Sequence, residues 1–214
     1  MQQSADSLRE RRRAETGHAL IRDARRRTAE MGLHGFTVEE VCEAAGVSRR
    51  TFFNYFASKE DAVLGVTLLR NDEAAVAAFL AGGDPESPDL SATLLDDLAT
   101  LSIERWSVMD LAPDTFAELL AAVDREPRLL PRLLDHGAAI ERADASLIEQ
   151  REGLPEGDLR ASIAAQVVGT IGRSTVHAFL NGGHDRPFAD LYRTHLDAAR
   201  QLLRSQNLLP EGPA

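Results

Sequence analysis

The residues whose types and spacing point to chemistry lie together between positions 48 and 59 of this 214-residue chain, in the run SRRTFFNYFASK. Two arginines, a hydroxyl, an amide and aromatic rings on one short helix are the groups that bind guanine edges, adenine edges and phosphates. Val47, Phe52 and Phe56 stand at positions that can point inward, which leaves the arginines and their polar neighbours on the outer sides. The pattern therefore predicts a helix that reads DNA.

The segment before this helix has the pattern of a second short helix joined to it by a tight turn. Thr37 and Glu40 match the Thr-x-x-Glu capping box that begins a helix, and an apolar face follows at helical spacing. Gly46 tolerates a positive φ, so the chain can end that helix and turn sharply before Ser48 caps the next one. Ser58 opens a further helix with a lysine in its first turn, which suits a phosphate. Together these elements predict a helix-turn-helix unit.

The run AGVSRRTFFNYFASKEDAV resembles the DNA-binding signature of the TetR (tetracycline repressor) family, and the resemblance covers about residues 10–65. It implies groove contacts from Arg49, Arg50 and Phe53, phosphate contacts from Thr37, Thr51, Tyr55 and Lys59, and a contact of either kind from Asn54. Ser48 completes this candidate set as the cap of the recognition helix. The family usually has tyrosine where this chain has Phe53, so one hydroxyl contact is missing. Two roles remain for the phenyl ring of Phe53: contact with a thymine methyl group, or packing against the protein.

The resemblance also implies a fold and an assembly. The expected fold is all-α, with a three-helix helix-turn-helix DNA-binding domain at residues 1–57 and a larger helical ligand-binding and dimerisation domain at residues 58–214. Such a protein is a transcriptional repressor that binds a palindromic operator as a homodimer and needs no cofactor. A small-molecule inducer would shift the helix that begins at Ser58, so that the two recognition helices no longer fit the operator together.

The charge is distributed unevenly along the chain. The net charge is −10, which by itself argues against a nucleic-acid partner. Residues 1–70, however, hold 12 Lys/Arg against 10 Asp/Glu, whereas residues 71–214 hold 12 against 24. This asymmetry fits a basic DNA-contacting end and an acidic body that discourages indiscriminate adhesion to DNA.

Helical periodicity between Pro and Gly breaks predicts the remaining elements. The predicted helices span residues 11–31, 58–80, 90–109, 115–123, 127–152, 159–180 and 187–204, after a frayed segment at residues 1–8. The helix from Ser58 is expected to run unbroken to Gly82 and to link the DNA-reading end to the body. Arg25 is expected to face solvent or the second domain. The last two helices carry apolar stripes that either pair with a second copy in a four-helix interface or cover the core of their own chain.

A helical body after a DNA reader suggests a chamber for a small-molecule effector. Large or polarisable side chains on the helices expected around it are the candidates: Trp106, Met109, Phe116, Leu120, His136, Arg173 and His177. Ordinary core packing is the alternative for each. Arg173 is the most informative, because an arginine buried among valine and isoleucine needs a carboxylate from the protein or from a ligand.

Several other classes of protein are disfavoured. The single cysteine, Cys42, excludes an intramolecular disulfide and a cysteine-rich metal site, and it fits a reducing cytoplasm. No leader-like apolar region follows Met1, and no apolar run reaches the 18 residues or so of a membrane span. The common catalytic motifs are absent, and no two histidines stand four residues apart, so neither an enzyme nor a helical metal pair is indicated.

Two alternatives remain open. One is a ligand-dependent activator, or a regulator without an inducer, of the same fold. The other is a helical ligand-binding or scaffold protein whose head no longer reads DNA, which the phenylalanine at position 53 faintly favours. The effector, the operator and the regulated genes do not follow from the sequence.

Overall fold

The computed structural model describes residues 2–68, 72–87, 89–107, 113–182 and 186–205, which form ten helices and no strand. The helices are α1 Gln2–Met31, α2 Val38–Ala44, α3 Arg49–Tyr55, α4 Lys59–Leu64, α5 Glu73–Ala81, α6 Leu94–Ser107, α7 Pro113–Arg125, α8 Leu129–Glu152, α9 Leu159–Leu180 and α10 Phe188–Ser205. The predicted all-α fold is confirmed. Within these ranges, no helix is long and apolar enough to cross a membrane.

The chain divides by packing into two compact units. Unit 1 contains residues 1–73 and 108–140, and unit 2 contains residues 74–107 and 141–214. Each has its own apolar core. Packing therefore groups α7 and the first part of α8 with the N-terminal helices. The boundary after residue 57 is predicted between two functions, DNA binding and ligand binding, and it stays a prediction.

Unit 1 is built on α1, a helix of 30 residues against which α2, α4 and α7 pack. The predicted start of this helix at residue 11 is wrong, because the helix already begins at Gln2. Its apolar face meets the inward faces of the short helices in a continuous core. Members of that core include Leu20, Ala24, Leu33, Phe36, Val41, Phe52, Phe56, Val63, Ala122 and Leu129.

Arg25 lies inside this core, so the expectation that it faces solvent or a second domain is wrong. Its Nε donates to the carbonyl of Val63 at 2.8 Å, and its Nη1 donates to the carbonyl of Thr115 at 3.1 Å. The first carbonyl lies in the last turn of α4, where helical carbonyls have no intrahelical partner. One guanidinium thus fixes the end of α4 and the start of α7 to α1.

Two further polar contacts attach the later segments of unit 1 to the helix-turn-helix region. The carboxylate of Glu126 accepts from the backbone N–H of Leu33 at 2.8 Å, just after α1 ends. Arg132 of α8 donates through Nε to Asp61 at 2.9 Å and through Nη2 to the Ser58 hydroxyl at 3.2 Å. Asp61 is almost fully buried, so removing its cationic partner would leave a charge without compensation.

The predicted unbroken helix from residue 58 to residue 80 is wrong. Helix α4 ends after one and a half turns at Gly65, whose φ of +77° is open to glycine but costly for other residues. The backbone N–H of Val66 donates to the carbonyl of Asp61 at 2.8 Å, and that of Gly65 donates to the carbonyl of Ala62 at 3.2 Å. This is the hydrogen-bond pattern of a Schellman C-cap. The helix therefore cannot act as one rigid link.

Unit 2 is a bundle in which α9 packs against α6 and α10. Helix α9 spans the predicted residues, while α6, α7, α8 and α10 agree with prediction to within four residues at the ends that the structure describes. A Cβ at Gly172 would lie 3.0 Å from Nε1 of Trp106 and 3.5 Å from the ring of Tyr192. A glycine at this position therefore lets the side chains of Trp106 and Tyr192 approach α9 closely.

The polar centre of unit 2 is Arg151, near the end of α8, whose side chain is fully buried. It donates to the carbonyls of Phe79 and Gly82, at 2.9 and 3.0 Å, and so caps the end of α5. It also binds the carboxylates of Asp97 at 2.5 Å and Glu152 at 2.8 Å. A buried charge is tolerated when it is paired and fully hydrogen-bonded, and these contacts meet that condition.

Replacing Arg151 with alanine should lower the free energy of unfolding by about 3–5 kcal/mol, because Glu152 would keep a buried charge without its partner. Urea denaturation followed by circular dichroism measures the change. The matched control is Arg193→Ala, which removes an exposed arginine 3.5 Å from Asp190 and should cost less than about 1 kcal/mol. Equal losses in the two variants would contradict the role given to Arg151.

Candidate nucleic-acid interface

Two buried aromatic rings determine which side of α3 faces outward. Phe52 and Phe56 are completely buried in the core of unit 1 and lie 5.5 Å apart between ring centroids. Because α3 has only seven residues, burial on one side determines which side chains point outward. Those that do are Arg49, Arg50, Phe53 and Asn54, all exposed, with Thr51 and Tyr55 half-buried. The structure thus exposes four of the six predicted α3 residues and leaves Thr51 and Tyr55 nearer the core.

The turn that precedes α3 is closed by side-chain caps. Ser48 accepts from the backbone N–H of Thr51 at 3.1 Å, and the two hydroxyls lie 2.8 Å apart. Gly46 has a φ of +67°, as the sequence predicted for the turn. These caps fix the direction in which α3 leaves the turn, and the Thr51 hydroxyl, for which a phosphate contact is predicted, already has a partner in Ser48.

Helix α2 begins with the predicted capping box. The Thr37 side chain accepts from the backbone N–H of Glu40, and the Glu40 carboxylate accepts from the backbone N–H of Thr37 at 2.7 Å. This backbone hydrogen bond, together with that from the Thr37 hydroxyl, holds the pKa of Glu40 below its ordinary value. Thr37 is exposed at the helix N-terminus, but its hydroxyl donates to Glu40 at 2.9 Å, so a phosphate contact from this hydroxyl proton would require that hydrogen bond to open.

The two recognition arginines differ in their surroundings. The Nη1 of Arg49 lies 2.6 Å from a carboxylate oxygen of Glu39 on α2, and its guanidinium lies 5.5 Å from the centroid of the Phe53 ring. Arg50 is exposed and has no ion-pair partner among the residues that the structure describes. No local sequence pattern indicates the Glu39 contact, because the two residues stand ten positions apart on separate helices.

Tyr55 is bound to α1 through its hydroxyl. The hydroxyl donates to the carbonyl of Arg13 at 3.1 Å, and the ring lies 3.4 Å from the place where a Cβ of Gly17 would stand. A tyrosine hydroxyl has one proton to donate, and a phosphate oxygen only accepts. The predicted phosphate contact of Tyr55 would therefore require this hydrogen bond to open.

Lys59 is likewise held by the protein. Its Nζ donates to the carbonyls of Leu33 and Phe36, at 2.5 and 2.6 Å, and lies 4.5 Å from the centroid of the Phe36 ring. It is the only lysine in the chain. A compact ammonium with three donors suits two neighbouring carbonyls and leaves one donor for a phosphate.

Cys42 is buried beneath this surface, and burial raises the pKa of its thiol. A thiol in that state is a poor nucleophile and metal ligand. No cluster of three or more histidine, cysteine or acidic residues suited to a metal ion occurs in the described part of the chain. The chemistry of the surface is thus that of hydrogen-bond donors and aromatic rings.

The predicted effector residues are divided between the two units. Phe116, Leu120 and His136 belong to unit 1, whereas Trp106, Arg173 and His177 belong to unit 2. Met109 lies outside the described residues. In unit 1, Leu120 is exposed and His136 is half-buried, and burial lowers the pKa of His136.

In unit 2, the candidates contribute to packing and to the surface. Trp106 lies beside Phe188, with 6.4 Å between ring centroids. Arg173 has a carboxylate partner, Glu141 at 2.7 Å, but its side chain is exposed rather than buried. His177 is exposed as well. Among the effector candidates of this unit, the packing alternative applies best to Trp106.

A cavity of about 570 Å³ opens in unit 2 along α6, α9 and α10. Its lining is mainly apolar and includes Leu90, Leu94, Leu95, Leu159, Ile163, Ala164 and Val167. The two arginines in the lining are already paired, Arg160 with Asp158 at 2.9 Å and Arg200 with Asp96 at 2.7 Å. None of the predicted effector residues lines this cavity.

Comparison with known proteins identifies related sequences. The model of the family described as bacterial regulatory proteins, tetR family, matches residues 20–65. The HTH-type transcriptional regulator TcmR of Streptomyces glaucescens is 32% identical over 168 residues, covering 78% of this chain and 74% of that protein. The HTH-type transcriptional repressor AcnR of Corynebacterium glutamicum is 24% identical over 162 residues, covering 76% of this chain and 78% of that protein.

Replacing Lys59 with methionine should lower the free energy of unfolding by about 1–3 kcal/mol, because two carbonyls lose a charged donor. Urea denaturation in the absence of nucleic acid gives the value. Lys59→Arg is the matched variant. It keeps the positive charge, but its planar guanidinium does not reproduce the contacts of the lysine ammonium group with the two carbonyls. Full stability in Lys59→Arg would show that charge alone is needed and would contradict this internal role.

Proposed function

Because the chain belongs to the TetR family of bacterial regulatory proteins, we propose that it is a repressor that binds a palindromic operator as a homodimer and is released by a small-molecule effector. One relative is itself named a transcriptional repressor. As a DNA-binding regulator it would act in the cytoplasm. The observation that carries the proposal is the outer face of α3, where both arginines are exposed at the helix N-terminus.

The position of these arginines fits base reading. In helix-turn-helix proteins the N-terminal residues of the second helix reach base edges in the major groove, while the first helix crosses the backbone. Arg49 and Arg50 are the first two residues of α3. Guanine is the base for which a guanidinium is best matched, because its O6 and N7 accept two parallel hydrogen bonds. Thr37 at the start of α2 and Lys59 at the start of α4 are proposed phosphate contacts.

The homodimer is proposed to form through α9 and α10. Leu159 and Ile163 on α9 are 73% and 50% exposed, and Leu202 on α10 is 63% exposed. Other apolar residues of the same helices, such as Val168 and Leu196, are buried in the core of unit 2. Each helix thus covers its own core with one side and leaves apolar residues uncovered on another, which suits a two-fold four-helix interface.

We propose that the effector acts through the polar contacts of unit 1 instead of through one long helix. Arg25 joins α1 to the end of α4 and the start of α7, and Arg132 joins α8 to Asp61 on α4. A displacement of α7 or of the start of α8 would move α4 and the adjacent recognition helix. The effector must bind the form that does not fit the operator more tightly, and DNA must then weaken effector binding by the same factor.

Two alternatives are separated by simple assays. A ligand-dependent activator of the same fold would raise, rather than lower, expression from a reporter that carries its operator. A scaffold protein with a degenerate head would fail to retard the DNA upstream of its own gene in a mobility-shift assay.

Replacing Arg49 or Arg50 with alanine should weaken operator binding by about 1–3 kcal/mol and relax the preference at the base pair concerned, because a bidentate contact to guanine is lost. Mobility shift against operator duplexes with single base changes measures both effects. Arg142→Ala removes an exposed arginine of unit 2 and should leave operator binding unchanged. Unaltered discrimination in both α3 variants would remove the base-reading role.

Replacing Ile163 with aspartate should convert the protein to a monomer at micromolar concentration, because a charge would enter an apolar helix interface. Sedimentation velocity measures the change. Leu134→Asp alters an apolar residue of α8 that is 65% exposed and should leave the dimer intact. A monomeric wild-type protein would refute the proposed assembly.

A further inference from the structure

Glu39 is an acidic residue in the first turn of α2, next to the proposed base-reading surface. It lies on α2 with its side chain 57% exposed, and its carboxylate contacts Arg49 at 2.6 Å. A carboxylate beside a surface that binds phosphates repels them and weakens DNA binding. An exposed ion pair contributes only about 0–1 kcal/mol to stability, and a carboxylate in the first turn of a helix about 0.3–1 kcal/mol, so Glu39 has a small effect on folding.

We propose that Glu39 is a positioning residue for base recognition, which holds the guanidinium of Arg49 in the orientation that reads a guanine. The inference rests on the proposed function, since it concerns how the same surface selects its sequence. Arg50 stands one residue further along α3 without an ion-pair partner in the described parts of the chain, so of the two arginines only Arg49 is held by a carboxylate.

The geometry leaves the guanidinium free to bind a base. An arginine has five N–H donors in a planar fork, and the contact with Glu39 uses one of them, on Nη1. The remaining donors still include a parallel pair that matches O6 and N7 of guanine. The carboxylate therefore does not block the base contact, and it limits the rotations available to a long side chain before DNA arrives.

Phe53 supports the same arrangement from a second direction. Its ring lies 5.5 Å from the Arg49 guanidinium carbon and meets Phe52 edge-on, with 5.3 Å between ring centroids. Because Phe52 is completely buried, the ring of Phe53 rests on a fixed neighbour. The ring at position 53 thus contributes a surface for the guanidinium of Arg49.

The experiment compares two probes and two sites of substitution. The specific probe is a duplex selected by the wild-type protein from a randomised library, and the non-specific probe is the same duplex with its sequence scrambled. Failure to select any duplex would refute the proposed function itself. The variants are Glu39→Ala and Glu39→Gln, and Glu43→Ala removes an exposed charge from the same helix without a contact to Arg49.

The expected result is a loss of selectivity. Glu39→Ala should lower the ratio of specific to non-specific affinity by about five- to tenfold and relax the preference at a single base pair. Glu39→Gln keeps an oxygen acceptor at the same length and should lose less. Glu43→Ala should strengthen binding to both probes equally, because it only removes a negative charge. Thermal melting should show that all three variants remain folded.

A double-mutant cycle assigns the effect to one arginine. Once Arg49 is alanine, Glu39→Ala should have no further effect on selectivity, whereas it should retain its full effect when Arg50 is alanine. The inference is overturned if Glu39→Ala behaves like Glu43→Ala, if it leaves selectivity unchanged, or if its effect persists in the absence of Arg49.

Discussion

The burial of Phe52 and Phe56 is the constraint on which the rest of the DNA-reading surface depends. A seven-residue helix has little stability of its own in water, so α3 exists because these two rings are held in the core of unit 1. Once they are fixed, the helical repeat determines the direction of every other side chain of α3. The exposure of both arginines is thus a consequence of core packing, and it does not require a special conformation at the surface.

Long cations fix the ends of helices in both units. Arg25 and Arg151 are buried and donate to carbonyls near the ends of α4 and α5, and Lys59 does the same for the residues after α1. Carbonyls at a helix end lack intrahelical donors, and a charged donor satisfies them more strongly than a neutral one. The same side chains also join segments that are distant in sequence. Each of these contacts therefore satisfies carbonyls at a helix end and holds two segments together.

Local signals explain what the sequence could predict. The capping box at Thr37, the turn at Gly46 and the full extent of α9 follow from patterns within a few residues, and the structure agrees with each. The break at Gly65 does not follow from the sequence pattern, because the apolar repeat continues on both sides of it. Hydrophobic periodicity carries no information about a single residue with positive φ. The places of Arg25, Arg151 and Glu39 depend on partners that are distant in sequence, and no local pattern carries that information. The DNA and effector contacts of individual residues stay predictions.

The break after α4 also affects how the chain tolerates changes in length. In a continuous helix, one inserted residue would rotate everything beyond it by about 100° around the helix axis. Residues 66–68 are not helical, so an insertion or deletion there alters the length of a connection without imposing that rotation. Such a change leaves α1 to α4 in the same helical register, whereas the contacts of Arg25 with Thr115 and of Arg132 with Asp61 still tie these helices to segments beyond the connection.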